Sequence, residues 1–151
     1  MADNSKPAGE GLSIRADGAD VRRASEWLQK SGAERGVPRD EIGRLELCLN
    51  EVLANVISYG GPSAQAAPVE LTLEVAHGQG RHEASVTVTD AGIAFDTPAA
   101  MPRPSPESLT DAQVGGLGIV MIHSFSDTLR YRREDGRNHL TFAVHWEDEA
   151  G

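Results

Sequence analysis

Three short stretches carry residue types whose spacing could do chemistry. In "VPRDEIGRLELCLNEVLANVISYGG", Glu51 and Asn55 stand one helical turn apart. Ile42, Leu45, Leu49, Val52, Leu53 and Val56 form a continuous apolar stripe there at about 100° per residue, and the pair faces away from its middle. A solvated helix surface accounts for this; so does a carboxylate base beside an amide oxygen able to ligate Mg²⁺. In "VTVTDAGIAFD", Asp90 closes an alternating strand and Gly92 follows. Asp-x-Gly is a common turn. It is equally a carboxylate at a sheet edge accepting from a ligand amine, with Gly92 letting the backbone come close. In "QVGGLGIVMIHSF", Gly115, Gly116 and Gly118 precede an apolar run of helical spacing. A plain loop-to-helix junction rarely needs three glycines, whereas a cradle of backbone N–H groups at the positive end of a helix explains them as a phosphate site.

The elements around these stretches must position them. Residues 1–10 are polar and contain Gly and Pro, which predicts a mobile tail. "LSIRA" (12–16) reads as a short edge strand. Residues 19–35 read as a helix with Gly36 as its stop, and a longer helix starts near Pro38 and Asp40 and ends at Gly60-Gly61. "VELTLEVAH" (69–77) and "EASVTVTD" (83–90) are strands joined by the flexible loop "HGQGRH". The proline-rich stretch 97–113 reads as a long loop, and such a loop beside a phosphate cradle could fold over a ligand as a lid. The glycine-led helix runs to about Ser126, and "TLRYRRE" and "HLTFAVHWE" form a closing hairpin with its turn at Asp135-Gly136. Two adjacent hairpins predict an α+β fold: a mixed, largely antiparallel sheet with helices packed on one face.

Composition narrows the classes. A chain of 151 residues suits one domain with one core. The formal charge of −9 argues against broad contact with nucleic acid phosphates, but less against a nucleotide. Neither lysine, Lys6 or Lys30, lies in a G-x-x-x-x-G-K segment, which excludes a P-loop. Cys48 is the only cysteine, so no internal disulfide exists, and its apolar helical setting predicts a small core residue. The histidines show no metal-ligand spacing. No apolar stretch approaches the roughly 20 residues needed to cross a bilayer, and the N-terminus lacks signal-peptide regions. A cytoplasmic protein with no membrane partner is expected.

Taken together, E-x-x-x-N on a long helix, D-x-G after a strand and G-G-x-G opening a helix, in that order, resemble the Bergerat ATP-binding fold of the GHKL group. Within it the single small domain, residues 11–147, is most similar to the anti-sigma-factor serine kinases of the RsbW and SpoIIAB type. The resemblance implies a two-layer α/β sandwich that binds ATP and Mg²⁺. It makes Glu51 the general base and Asn55 the Mg²⁺ ligand. Asp90 would hold the adenine amine, Gly92 would line the adenine pocket, and Gly115, Gly116, Leu117, Gly118 and Ile119 would form the phosphate-binding segment. Three positions depart from the family pattern: Ala94 stands where a second glycine is common, Tyr59 where a histidine is frequent, and Arg103 is the lid's basic residue, well before the glycines.

Glu51 also discriminates within the fold. A serine hydroxyl must lose its proton to attack phosphorus, and a carboxylate can take it. Histidine kinases, whose imidazole already offers a lone pair, tend to have asparagine there. The resemblance therefore implies a protein serine/threonine kinase acting on a STAS-domain anti-anti-sigma partner and sequestering a sigma factor or another client. It leaves room for a homodimer. The alternative is a nucleotide-sensing module that binds partners without catalysis.

Overall fold

The computed structural model describes residues 8–96 and 115–148. Alternating apolar positions build five strands: β1 (Ala8–Ile14), β2 (Val69–His77), β3 (Arg81–Asp90), β4 (Thr128–Glu134) and β5 (Arg137–Glu147). They form one sheet in the order β1-β2-β3-β5-β4, antiparallel at every pairing. The expected mixed sheet is thus wholly antiparallel among the described strands. β3 and β4 do run in the same direction, but β5, the last of the described strands, lies between them.

One face of the sheet is apolar. Val69, Leu71, Leu73 and Val75 of β2, Ala84, Val86 and Val88 of β3, and Leu140, Phe142 and Val144 of β5 are all buried. Against the sheet pack α1 (Gly18–Glu34) and α2 (Arg39–Tyr59), α4 (Gly115–Phe125) packs on α2, and α3 (Gly61–Ala66) is a short turn of helix after α2. Asp17 caps α1, its carboxylate accepting from the Asp20 N–H at 2.9 Å. The predicted α2 stripe is the core of the molecule: Leu45, Cys48, Leu49, Val52, Leu53 and Val56 are buried. Cys48 is a core residue as expected, and burial pushes its thiol up to about 12, so it stays protonated.

Several boundaries differ from the expectation. Residues 8–10, assigned to the tail, are strand: Ala8, Gly9 and Glu10 pair with Val75, Glu74 and Leu73. Main-chain bonding to the edge of β2 holds them, which the weak strand propensity of Gly9 and Gly11 conceals. Residues 1–7 lie outside the described residues. The flexible loop 77–82 contracts to a tight turn in which Gly78 N–H donates to Arg81 O at 2.7 Å. Gly60-Gly61 ends α2 but not helical structure, because Gly60 keeps a right-handed conformation and Pro62 starts α3. The loop 97–113, with Arg103, lies outside the described residues, as does Val114. The turn at Asp135-Gly136 falls as predicted, both residues having positive φ (53° and 74°).

The far end of α4 is fastened to α2. Arg44 donates from Nε to Phe125 O at 3.1 Å and from Nη2 to Asp127 Oδ1 at 2.9 Å, placing a cation at the negative end of α4. Asp127 Oδ2 accepts the His145 N–H at 2.7 Å. Partial burial works to raise the Asp127 pKa, but the Arg44 hydrogen bond, the His145 N–H and nearby positive charge outweigh it and hold the carboxyl below its ordinary value. Among the described residues, no helix is long and apolar enough to cross a membrane.

Candidate active site

The last turns of α2 and the neighbouring stretches of β3, β4 and β5 line one pocket. Val52, Asn55, Val56 and Tyr59 line it from α2, Asp90 from β3, Tyr131 from β4, and Asn138 and Leu140 from β5. Ile93 and Phe95 stand at its mouth, 58% and 36% exposed. A mainly apolar slot holding one buried carboxylate suits a flat heterocycle carrying an amine.

The carboxylate is Asp90, 6% exposed at the end of β3. Its Oδ1 accepts from Gly92 N–H at 2.8 Å and from Asn138 Nδ2 at 3.1 Å. Gly92 is required by space, not by torsion: a Cβ there would stand 2.9 Å from both Asp90 Oδ1 and the Gly60 Cα. The turn is therefore pressed against the end of α2, where Ile93 N–H also donates to Gly60 O at 3.0 Å. Ala94 has no positive φ, because Asp135 alone among the described non-glycine residues does. An alanine in place of the family's second glycine leaves this loop unstrained.

Asn138 holds the turn from the other side. Its Nδ2 donates to Ile93 O at 2.8 Å as well as to Asp90, and its Oδ1 accepts from Tyr131 Oη at 2.6 Å and Arg133 Nη1 at 3.0 Å. Arg133 Nη1 also reaches Gly92 O at 2.7 Å. Sequence reading missed all three of these residues. One signal was available: Asn138 opens the alternation continued by Leu140, Phe142 and Val144, so a polar side chain occupies a core-facing position.

The structure thus brings Asn55 and Asp90 to one pocket, whereas Gly92 does not line it and instead holds Asp90 from the turn behind. The Asn55 amide Nδ2 is buried with no hydrogen-bond partner, so the amide is available to orient on a bound group. Glu51, half-buried one turn earlier on α2, does not line the pocket. Gly115, Gly116, Leu117, Gly118 and Ile119 form the first turns of α4, whose opening N–H groups have no intrahelical acceptor. Among the described residues no group of three or more His, Cys, Asp and Glu side chains could hold a metal ion. A Mg²⁺ here would be held through Asn55 together with the ligand's own phosphates, its usual mode.

Fold and pocket define a nucleotide-binding domain. The chain belongs to the histidine kinase-like ATPase domain family, whose model matches residues 14–144, and membership implies ATP binding. Among its relatives is the serine/threonine-protein kinase BtrW of Bordetella bronchiseptica, 40% identical over 101 residues, 67% of this chain and 68% of that protein. The crystal structure of the RsbU and RsbW domains of a Mycobacterium tuberculosis protein aligns with a TM-score of 0.61 at 17% identity, over 91% of this chain. This chain spans about a third of that polypeptide, 32%. A chain of the SiaB-SiaC complex of Pseudomonas aeruginosa aligns with a TM-score of 0.50 at 13% identity, covering 91% of this chain and 89% of that one. Both structures carry the same fold, the Bergerat arrangement expected from the sequence.

Proposed function

We propose that this chain is an ATP-dependent serine-protein kinase and switch protein, transferring the ATP γ-phosphoryl to a serine of a STAS-domain anti-anti-sigma partner. In the same reading it sequesters a sigma factor or another client until the partner displaces it. The observation that carries the reading is the buried carboxylate of Asp90, fixed at the end of an apolar pocket beside the unpartnered amide of Asn55. Support for the reaction type comes from the relative named a serine/threonine-protein kinase, and for a protein partner from a neighbour solved as the SiaB-SiaC complex.

The residues divide the work as follows. Asp90 accepts the adenine amine, and the opening turn of α4 from Gly115 to Ile119 donates its N–H groups to the phosphates. Asn55 would hold Mg²⁺, which would neutralise phosphate charge when bound. Glu51 takes the proton from the partner's serine as its oxygen bonds to the γ-phosphorus. The bond to the β–γ bridging oxygen breaks, and ADP leaves.

The test is single-turnover labelling of a co-captured STAS-domain partner with γ-labelled ATP at matched Mg²⁺. The wild type should label a serine. Glu51→Ala should bind nucleotide and partner but transfer ~10²- to 10⁴-fold more slowly, the usual range for loss of a general base. Asn55→Ala should fail earlier, at productive Mg·ATP binding. Binding of both ligands by the wild type without transfer would favour the sequestering module; transfer by Glu51→Ala at the wild-type rate would refute the mechanism.

A further inference from the structure

The end of the sheet opposite the pocket carries a cluster that nucleotide chemistry does not use. β3 runs from Arg81 to Asp90, and whereas Asp90 pairs with Asn138 beside the pocket, His82 pairs with Trp146 near the other end. About eight residues of strand, roughly 27 Å, separate the two. His77 of β2 is the cross-strand partner of His82, so His77, His82 and Trp146 form one row across three strands.

The two imidazoles face each other through the same atom, His77 Nδ1 standing 2.9 Å from His82 Nδ1. Their outer nitrogens are both committed as donors. His77 Nε2 lies 2.9 Å from the Arg35 carbonyl oxygen, and His82 Nε2 lies 2.6 Å from Asp148 Oδ1. A carbonyl or a carboxylate can only accept, so each Nε2 carries a hydrogen, and with both rings uncharged each would turn an Nδ1 lone pair toward the other. At that distance the two Nδ1 atoms must share a cation, either a proton in an N–H···N hydrogen bond or a metal ion. A carbonyl or carboxylate behind the outer nitrogen is also the arrangement that fixes tautomer and ring angle in metal-binding histidines.

We propose that His77 and His82 form a two-imidazole site for a divalent first-row transition-metal ion, the remaining positions taken by water. The separation selects among metals. With metal–nitrogen bonds of about 2.05 Å, nitrogens 2.9 Å apart subtend roughly 90° at the metal, the cis angle of tetragonal Cu²⁺ or Ni²⁺. A tetrahedral Zn²⁺ would want them roughly 3.3 Å apart. Trp146 stacks on His82 with centroids 5.3 Å apart and holds that ring in place, and His82 is only 11% exposed while His77 is open to solvent. Asp148, just after β5, adds negative charge behind the site. A bound ion would tie the β2–β3 turn to the chain after β5 and, through Arg35, to the end of α1.

The experiment titrates Cu²⁺, Ni²⁺ and Zn²⁺ into the full chain in a non-coordinating buffer, followed by calorimetry and by Trp146 fluorescence in a Trp27→Phe background. Calorimetry on the unaltered chain stands alone if that variant is unstable. One Cu²⁺ should bind in the micromolar range, with a spectrum of two nitrogen ligands and quenching of Trp146. Ni²⁺ should follow, and Zn²⁺ should be weakest. His77→Ala and His82→Ala should each weaken Cu²⁺ by at least about tenfold, Asp148→Asn by about tenfold, and His145→Ala not at all. If either single-histidine variant matches the wild type, or if the wild type shows no saturation at millimolar Cu²⁺, the proposal fails and the rings share a proton instead. None of these readouts depends on kinase activity.

Discussion

Asp90 can serve a ligand with one oxygen only, since Gly92 N–H and Asn138 Nδ2 already donate to Oδ1. The other oxygen is an acceptor, and an amine is what it selects. Asp90→Asn should lower ATP affinity by about 10- to 100-fold, the range of a hydrogen bond to a charged group, and calorimetry with ATP and GTP measures it. Equal, tight binding of both nucleotides by the wild type would remove Asp90 from base reading. Gly92→Ala should lower stability by about 1–3 kcal/mol in thermal melts, because its Cβ would meet the Gly60 backbone at 2.9 Å, and nucleotide affinity should fall with it. Asp90 and Gly92 were legible because the D-x-G turn is local and its residue types are distinctive. Asn138, Tyr131 and Arg133 were not. Their role exists only once the β4–β5 hairpin is registered against β3, which brings Arg133 to Gly92 across 41 positions of sequence and Asn138 to Asp90 across 48.

At the scale of elements, α4 depends on both its ends. Gly116 and Gly118 lie in its first turns, where alanine suits a helix better by about 1 kcal/mol. Gly116→Ala and Gly118→Ala should therefore keep or raise the melting temperature while reducing ATP affinity, because a methyl group blocks approach to the N–H groups. Normal ATP binding by both variants would make these glycines structural. At the other end, Arg44 bridges Phe125 O and Asp127. Because the Asp127 pKa is lowered on folding, its contribution is present above the unfolded value near 3.8 and is lost as pH falls through the lower folded value. Asp127→Asn should thus be less stable than wild type at neutral pH, and the gap should close as the pH is lowered below 3.8; a gap independent of pH would contradict the assignment. Helix α4 was legible from its apolar spacing, but this fastening was not, since Arg44 reads as an ordinary charge on the polar side of α2. The tight β2–β3 turn was hidden for a related reason: "HGQGRH" looks like loop by composition, and only main-chain pairing draws Arg81 and His82 into β3.

Over the whole molecule, a single core joins α2 to the middle of the sheet, and Phe142 of β5 is its largest fully buried side chain. Phe142→Ala should cost about 3–5 kcal/mol by denaturant titration, with one cooperative transition if core and pocket melt together. The one-domain, helices-on-one-face plan was visible in the order of elements, because amphipathic periods report which side each element buries. Strand order was not visible, since no local pattern states that the final strand enters between β3 and β4. That placement has a consequence for how the protein is made. While the chain is being synthesised, β3 and β4 each wait with an open side, and the nucleotide pocket lacks both Asn138 and Leu140. Neither the central pairing nor the ATP site can close until the last strand has left the ribosome, so a nascent chain stalled at the Asp135-Gly136 turn holds every proposed catalytic residue and still has no site to use them in.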